Sequence, residues 1–313
     1  MIKDGVFVKE QIVNKTKINF INKKKLDYFW NKYGTGYLFL APFIIFLLIF
    51  IIGPVLISVF YSVTNFNMLQ TPQWLGIENF KVLFTQDDVF VIAVKKTLMF
   101  ACVLGPIGYV TCFLLAWVIN NLKFRNIFAM LFYIPSITTS AAIVWSLLFS
   151  SDKYGYVNYF LRSFNAIQDP ILWMNDPEYI PVLYIIMTLW VGLGAGFLIH
   201  LAGLNNVPKH LYEAAAIDGV KSKTQELWYI TIPRIKPQLL LVAIQTIVSS
   251  FSVFVRIGGF PTPNYCGHTI VAHLYDYAFL RFQMGYASAI AVVLFALTFT
   301  LSRISMKLLK TRD

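Results

Sequence analysis

Long apolar blocks, set apart by basic segments, constrain this chain more than any other feature. The first reads YLFLAPFIIFLLIFIIGPVLISVFY over residues 37–61, and five more follow at about 97–119, 127–149, 180–201, 239–259 and 287–309. A helix rises 1.5 Å per residue, so each block is long enough to cross about 30 Å of hydrocarbon. Strands of a membrane barrel would be near ten residues and would alternate strictly. These blocks are longer and apolar all round. Only 13% of the residues are charged, where a soluble chain typically has about 25%. The expected fold class is therefore all-α: a polytopic membrane protein with six transmembrane helices.

Lysine and arginine placement orients the spans, because cytoplasmic loops carry the excess. Eight lysines precede the first block: Lys3, Lys9, Lys15, Lys17, Lys23, Lys24, Lys25 and Lys32. Lys123 and Arg125 follow the second block. Lys209, Lys221, Lys223, Arg234 and Lys236 follow the fourth, and Arg303, Lys307, Lys310 and Arg312 close the chain. With six crossings, 19 of the 26 basic residues lie on one face. Both termini are thus expected in the cytoplasm. The expected division is a cytoplasmic lead at 1–36, a six-helix domain at 37–309 with a cytoplasmic loop at 203–237, and a cytoplasmic tail at 310–313. The first block is too long for a signal-peptide core of about 7–15 residues, so it is expected to remain as a span. A net charge of +11 is met by orientation and anionic headgroups, and no nucleic acid is invoked.

Several chemistries lack their residues. Cys102, Cys112 and Cys266 form no CxxC and no metal spacing, so neither a disulfide framework nor a metal site is expected. No Gly-Lys-Ser/Thr phosphate loop occurs, so this chain is expected to bind no ATP by that device. No G-x-S-x-G surrounds a serine, and His200 is the one histidine near a span. No catalytic residues are expected. The span cores hold no Asp or Glu, and the deep basic candidate is Arg256, read as reaching the outer headgroups. Gly192, Gly194 and Gly196 in GLGAGF, and Gly105 and Gly108 in GPIG, suit close helix packing. The fifth block is the most polar: Gln245, Thr246, Ser249, Ser250 and Ser252 must either bond a neighbouring helix or face a wet cavity.

The stretch EAAAIDGVKSKTQELWYITIP, residues 213–233, is polar and longer than a connector between spans needs. Pro208 suits a first helical turn, and Asn205 or Asn206 can cap it. LYEAAAID favours helix, and Gly219 ends or kinks it. A second short helix is expected at about 222–229, stopped by ITIPRIKP. Leu211, Ala214, Ala215 and Asp218 recur at helical spacing on one face, which suits docking into a groove on another protein or lying on the membrane.

These residues carry a resemblance. EAAAIDG…ITIP is similar to the EAA loop of ABC importer permeases, matching at Glu213, Ala214, Ala215, Gly219, Ile230 and Pro233. Ile232 stands where that motif has Leu, and the Gly-to-Ile interval is one residue longer. GYLFLAPFIIFLLIFIIGPVLISVFYSVTNFN, WLGIENFKVLF, LWVGLGAGFLIHLAGLNNVPKHLYEAAAIDG and MGYASAIAVVLF resemble carbohydrate-uptake permeases, in particular the maltose- and glycerophosphate-type first subunit. The resemblance implies a type I ABC importer permease in a bacterial cytoplasmic membrane. It implies four kinds of partner: an extracellular binding protein, a second homologous permease subunit, two cytoplasmic ATPases that bind ATP-Mg, and membrane lipid. Glu213 would anchor the loop in the ATPase and Gly219 would allow its sharp turn. Trp190, Gly192, Gln245, Ser249 and Ser250, with Thr188 one turn away, would line the substrate path. A self-sufficient channel or carrier, an intramembrane enzyme and an ABC permease for a non-sugar solute are the alternatives. The near absence of basic residues from the spans favours a neutral sugar or oligosaccharide.

Overall fold

The computed structural model describes residues 30, 32–138, 141–255 and 262–309. Arg256, most of the expected lead at 1–36 and the tail at 310–313 lie outside the described residues. The chain divides into two units, 1–60 and 61–313. In the first, helix α1, Lys32–Tyr61, is 30 residues long, and its most hydrophobic stretch has no buried residue. It widens to a π turn at Leu48–Ile52, where the Gly53 amide donates back to the Leu48 carbonyl. Pro54 follows and has no amide proton to donate.

The regular structure of the second unit is helical among the described residues, apart from one isolated bridge between Thr64 and Trp74. Its elements are α2 (Glu78–Thr85), α3 (Asp88–Asn120), α4 (Arg125–Ile137), α5 (Ala141–Leu148), α6 (Tyr156–Ser163), α7 (Tyr179–Asn205), α8 (Lys209–Ile217), α9 (Lys223–Glu226), α10 (Lys236–Phe251), α11 (Ile270–Tyr275) and α12 (Met284–Leu309). Helix α3 packs along α7 and α10, α4 along α7, and α12 against α10 and α11.

Among the described residues, α1, α3, α7 and α12 are long and apolar enough to cross a membrane. The blocks expected at 127–149 and 239–259 are not single long helices. The first breaks after Ile137, where Thr138 is extended (φ −87°, ψ 104°). There the Thr138 amide turns to the Pro135 carbonyl at 3.4 Å, and the Thr138 hydroxyl donates to the Ile134 carbonyl in its stead. The second ends at Phe251, and residues 253–255 run on without helix. Helix α3 begins nine residues before the expected 97, because Asp87 caps it by accepting the Phe90 amide at 2.9 Å.

Three buried clusters hold this unit. Phe197, Leu201, Leu204, Ala116, Ile119 and Ile235 pack at one end of α3 and α7. Phe100, Leu104, Ile180 and Val255 form the second cluster. Leu83, Phe90, Ala93, Ile270, Tyr286 and Ile290 form the third, at the start of α3.

Candidate functional site

Three places in the second unit bring polar chemistry together. The first is a half-open cavity of about 190 Å³ between α3, α7 and α10. It is lined by Thr188, Gly192, Gln245, Ser249 and Ser250, five of the six expected path residues, together with Cys112, Ser136 and Thr246. Trp190 does not line it. Residues two apart on a helix point about 200° apart, so Trp190 lies across α7 from Thr188 and Gly192. There it packs its ring 6.0 Å from that of Trp145.

The hydroxyls of α10 take neither of the two courses expected for them alone. Thr246, Ser249 and Ser250 donate to the carbonyls of Val242, Gln245 and Ile247 at 2.8–2.9 Å, and their oxygens line the cavity at the same time. Such back-bonding spends the proton and leaves oxygen lone pairs free. The Gln245 amide keeps both its donors and its acceptor, with no partner among the described residues. The glycines of α7 act as expected for close packing: a Cβ on Gly194 would run into Ser136, and one on Gly196 would lie 3.3 Å from the Cys112 sulfur. Nothing lies within 4 Å of a Cβ on Gly192, which is open to the cavity.

The second place is the α7–α10 connection. Pro208 sits just before α8 as its N-cap residue, with no side-chain cap (φ −64°, ψ 134°). Asn205 and Asn206 do not cap α8. They end α7, and Asn205 Oδ1 accepts from Arg125 at 2.8 Å. Helix α8 stops where Gly219 turns left-handed (φ 92°). The Val220 amide then reaches the Ala215 carbonyl at 2.9 Å and the Gly219 amide the Ala216 carbonyl at 3.3 Å, a Schellman closure. Ser222 and Gln225 cap α9 reciprocally. Pro233 does not stop the helix: a π turn at Leu227–Thr231, closed by the Ile232 amide on the Leu227 carbonyl, comes first. The same device precedes Pro54, and the wider turn accommodates a ring nitrogen that cannot donate.

The four residues expected on one face of α8 divide. Ala215 is buried, and Leu211 is half-buried and packs against the Phe197 cluster, while Ala214 and Asp218 are exposed. Tyr212 holds the connection together, its hydroxyl 2.9 Å from Thr231 Oγ1. Ile230 packs on the same cluster, and Glu213, Gly219 and Pro233 are exposed. Glu213 edges a cleft of about 760 Å³ with Arg125, Lys209 and Lys223. Ile217 at 88% exposure, Trp228 and Tyr229 add apolar surface beside it. Of these, Ile217 could have been read from its place three residues after Ala214, on the outward side of α8.

The third place escaped the sequence reading. At the start of α3, Asp87 Oδ2 accepts from Tyr286 at 2.7 Å, from Tyr277 at 3.3 Å and from His273 Nε2 at 3.0 Å. His273 Nδ1 meets His268 Nε2 at 3.0 Å. A carboxylate only accepts, so His273 carries its proton on Nε2 and its Nδ1 accepts from His268. Burial pushes the Asp87 carboxyl up, but the Tyr286 hydroxyl, the Phe90 amide and His273 together bring it below the ordinary 3.8. Burial pushes His273 down and outweighs the pull of Asp87. The pair is thus a carboxylate facing a neutral imidazole. His273 lies 186 residues from Asp87 and Tyr286 lies 199, so no local motif announces them.

Among the described residues no group of three or more His, Cys, Asp or Glu side chains forms a metal site. Residues 106–312 match the family described as binding-protein-dependent transport system inner membrane component. The chain is 33% identical over 282 residues to the probable ABC transporter permease protein YesP of Bacillus subtilis, covering 87% of this chain and 89% of that one. It is 33% identical over 293 residues to the arabinooligosaccharides transport system permease protein AraP of the same organism, covering 90% of each. It is 31% identical to the lactose transport system permease protein LacF of Rhizobium radiobacter, covering 85% of this chain and 91% of that one. In fold it resembles a chain of a bacterial ABC transporter that imports the acidic polysaccharide alginate, with a TM-score of 0.73 at 22% identity over 91% of this chain and 98% of that one.

Proposed function

Because this chain belongs to the family of binding-protein-dependent transport system inner membrane components, and so is a membrane-embedded ABC transporter permease, we propose that it forms half of the path by which an ATP-driven importer takes up a sugar or oligosaccharide. The observation that carries this reading is the cavity between α3, α7 and α10. Its wall offers hydroxyl oxygens, a complete amide at Gln245 and bare backbone at Gly192. Such a wall suits a neutral polyhydroxylated solute, which both donates and accepts hydrogen bonds. The names of relatives that carry arabinooligosaccharides and lactose support the substrate class.

The rest of the reading follows from charge and length. Six crossings use α1, α3, the α4–α5 pair, α7, α10 and α12, with both termini and the α8–α9 connection in the cytoplasm of a bacterial cell. Nineteen of 26 basic residues on one side support that orientation. The α8–α9 connection docks on an ATPase subunit. Glu213, Ala214, Asp218 and Ile217 present the contact, Gly219 sets the turn, and Leu211, Ala215, Ile230 and Tyr212 fasten the contact to the bundle. Closure of the motor then favours one of two rigid-body arrangements of the helices. A second permease subunit, two ATPases and an extracellular binding protein complete the machine. One of the structures of similar fold is described as bound to a periplasmic protein that carries an alginate pentasaccharide, which supports the last of these.

The test is reconstitution of the co-purified complex in vesicles with its binding protein and a panel of neutral sugars and sugar acids. ATPase stimulation and uptake by a neutral saccharide are expected, with no flux through this chain alone. Flux without nucleotide would return the reading to a self-sufficient carrier. Stimulation by an anionic solute alone would sink the neutral-sugar assignment.

A further inference from the structure

Helix α6, in the loop between α5 and α7, presents an aromatic face outward. Tyr156, Tyr159, Phe160 and Phe164 recur at helical spacing and are 61–69% exposed, with Tyr154 at 76% just before them. The opposite side of the helix is fastened inward. Asn158 is fully buried and donates to the carbonyls of Ser150, Asp152 and Ile171 at 3.0–3.1 Å. Its Oδ1 accepts from the Ile171 amide at 3.2 Å and the Trp173 indole at 2.9 Å. A Cβ on Gly155 would run into the Ser150 carbonyl, so the entry to α6 is fixed as well. The helix ends in a left-handed Asn165 (φ 55°), with the Ala166 amide on the Leu161 carbonyl. The loop is therefore a built platform, and its aromatic side is not turned out by want of structure.

We infer that α6 is an interfacial anchor that lays its aromatic face into the outer headgroup layer of the bilayer. Three observations favour lipid as the occupant. The residues are tyrosine and phenylalanine flanked by Lys153 and Arg162, the amphipathic and basic types that settle at headgroup depth beside anionic lipid. The helices on either side of the loop also expose apolar side chains, Ile143 and Leu147 on α5 and Val182 on α7, all more than half exposed. A column of rings ties the platform to both helices: Trp145 to Phe149 at 5.1 Å, Phe149 to Trp173 at 5.6 Å and Trp173 to Tyr179 at 5.3 Å. Trp190 joins this column through Trp145. A platform held this way cannot leave the membrane surface while α5 and α7 stay in it.

The inference rests on the six-span reading, and its test separates the two. Cys102, Cys112 and Cys266 are replaced, Tyr159→Cys or Phe160→Cys is introduced, and the assembled transporter is spin-labelled in phosphatidylethanolamine–phosphatidylglycerol vesicles. Collision with oxygen is expected to exceed collision with a water-soluble nickel chelate severalfold, approaching the ratio of an Ile143→Cys reference. Asn158→Ala should shift that ratio toward water. A ratio equal to that of an exposed aqueous reference, Lys81→Cys on α2, overturns the anchor. So does a label that is immobilised only when the binding protein is added, which would make the face a protein-docking surface. Reaction of the same cysteine with an impermeant maleimide only from the cytoplasmic side would sink the span topology instead.

Discussion

The Asp87 cluster and the α8–α9 connection lie at opposite ends of α3, and each organises its polar groups in its own way. At the first end, His273 of α11, Tyr277 of the π turn that follows it and Tyr286 of α12 close on one carboxylate, and both ends of the Asp87–His273 link are more than nine-tenths buried. At the second end, Glu213, Asp218 and Lys223 are exposed, and the ion pair between Lys223 and Glu226 at 2.8 Å spans one helical turn in solvent, where such a pair contributes little. At the Asp87 end the polar groups are satisfied internally and fasten helices to one another. At the other end they are left open where, on the proposed function, another protein completes the contact. Removing a group from the first end should therefore cost folding, and removing one from the second should cost coupling.

Asp87→Ala should have the largest effect on stability, about 3 kcal/mol, because it strands two tyrosine hydroxyls and an imidazole in a buried place. A clear fall in the melting temperature of the detergent-purified protein would show it. An unchanged melting temperature would break the comparison at its stronger end. Acid should loosen the same cluster without cutting it. With His273 held below its ordinary 6.5, the unfolded chain binds the extra proton first, so stability is present above about that pH and is lost as pH falls below it. Asp87, held below 3.8, adds its own loss only under stronger acid. His273→Gln should flatten the fall between pH 7 and 5 in the same thermal assay.

At the other end the expected numbers shrink. Gly219→Ala should cost about 1 kcal/mol, since a side chain must take the left-handed turn. Nothing lies within 4 Å of the added methyl group, so the cost is one of backbone conformation alone. Uptake should fall with it, as the bend between α8 and α9 shifts. Glu213→Ala should change stability by less than about 0.5 kcal/mol while ATPase co-purification and uptake drop. A variant that melts early would show that Glu213 serves the fold. One that transports normally would remove it from the contact.

The two ends also differ in how far they could be read. The α8–α9 connection was legible because its devices are local: an alanine-rich helix and a glycine three residues past the last alanine. Even there, the division of Leu211 and Ala215 from Ala214 and Asp218 was not, since spacing gives a face but not what covers its two edges. The break near Pro135 and the early end of α10 were hidden inside apolar blocks that hydropathy alone reads as continuous. Gln245, Ser249 and Ser250 could be picked out as polar residues in a greasy span, and the family resemblance marked them as path residues. The same resemblance placed Trp190 among them, and the helix's own rotation turns it to the far side of α7 from Thr188 and Gly192.

By itself the sequence determined that the chain is helical and membrane-embedded, because apolar blocks of this length have no other way to satisfy their backbone in hydrocarbon. It also fixed the place of the bend at Gly219, because that requirement is met by one residue's own conformation. Only the tertiary structure decided that Asp87 meets His273 and Tyr286, that five expected residues share a cavity while Trp190 turns to Trp145, and that α6 shows its rings outward. Those outcomes depend on which helix faces which across separations of tens to nearly two hundred residues. No periodicity within one segment carries that information.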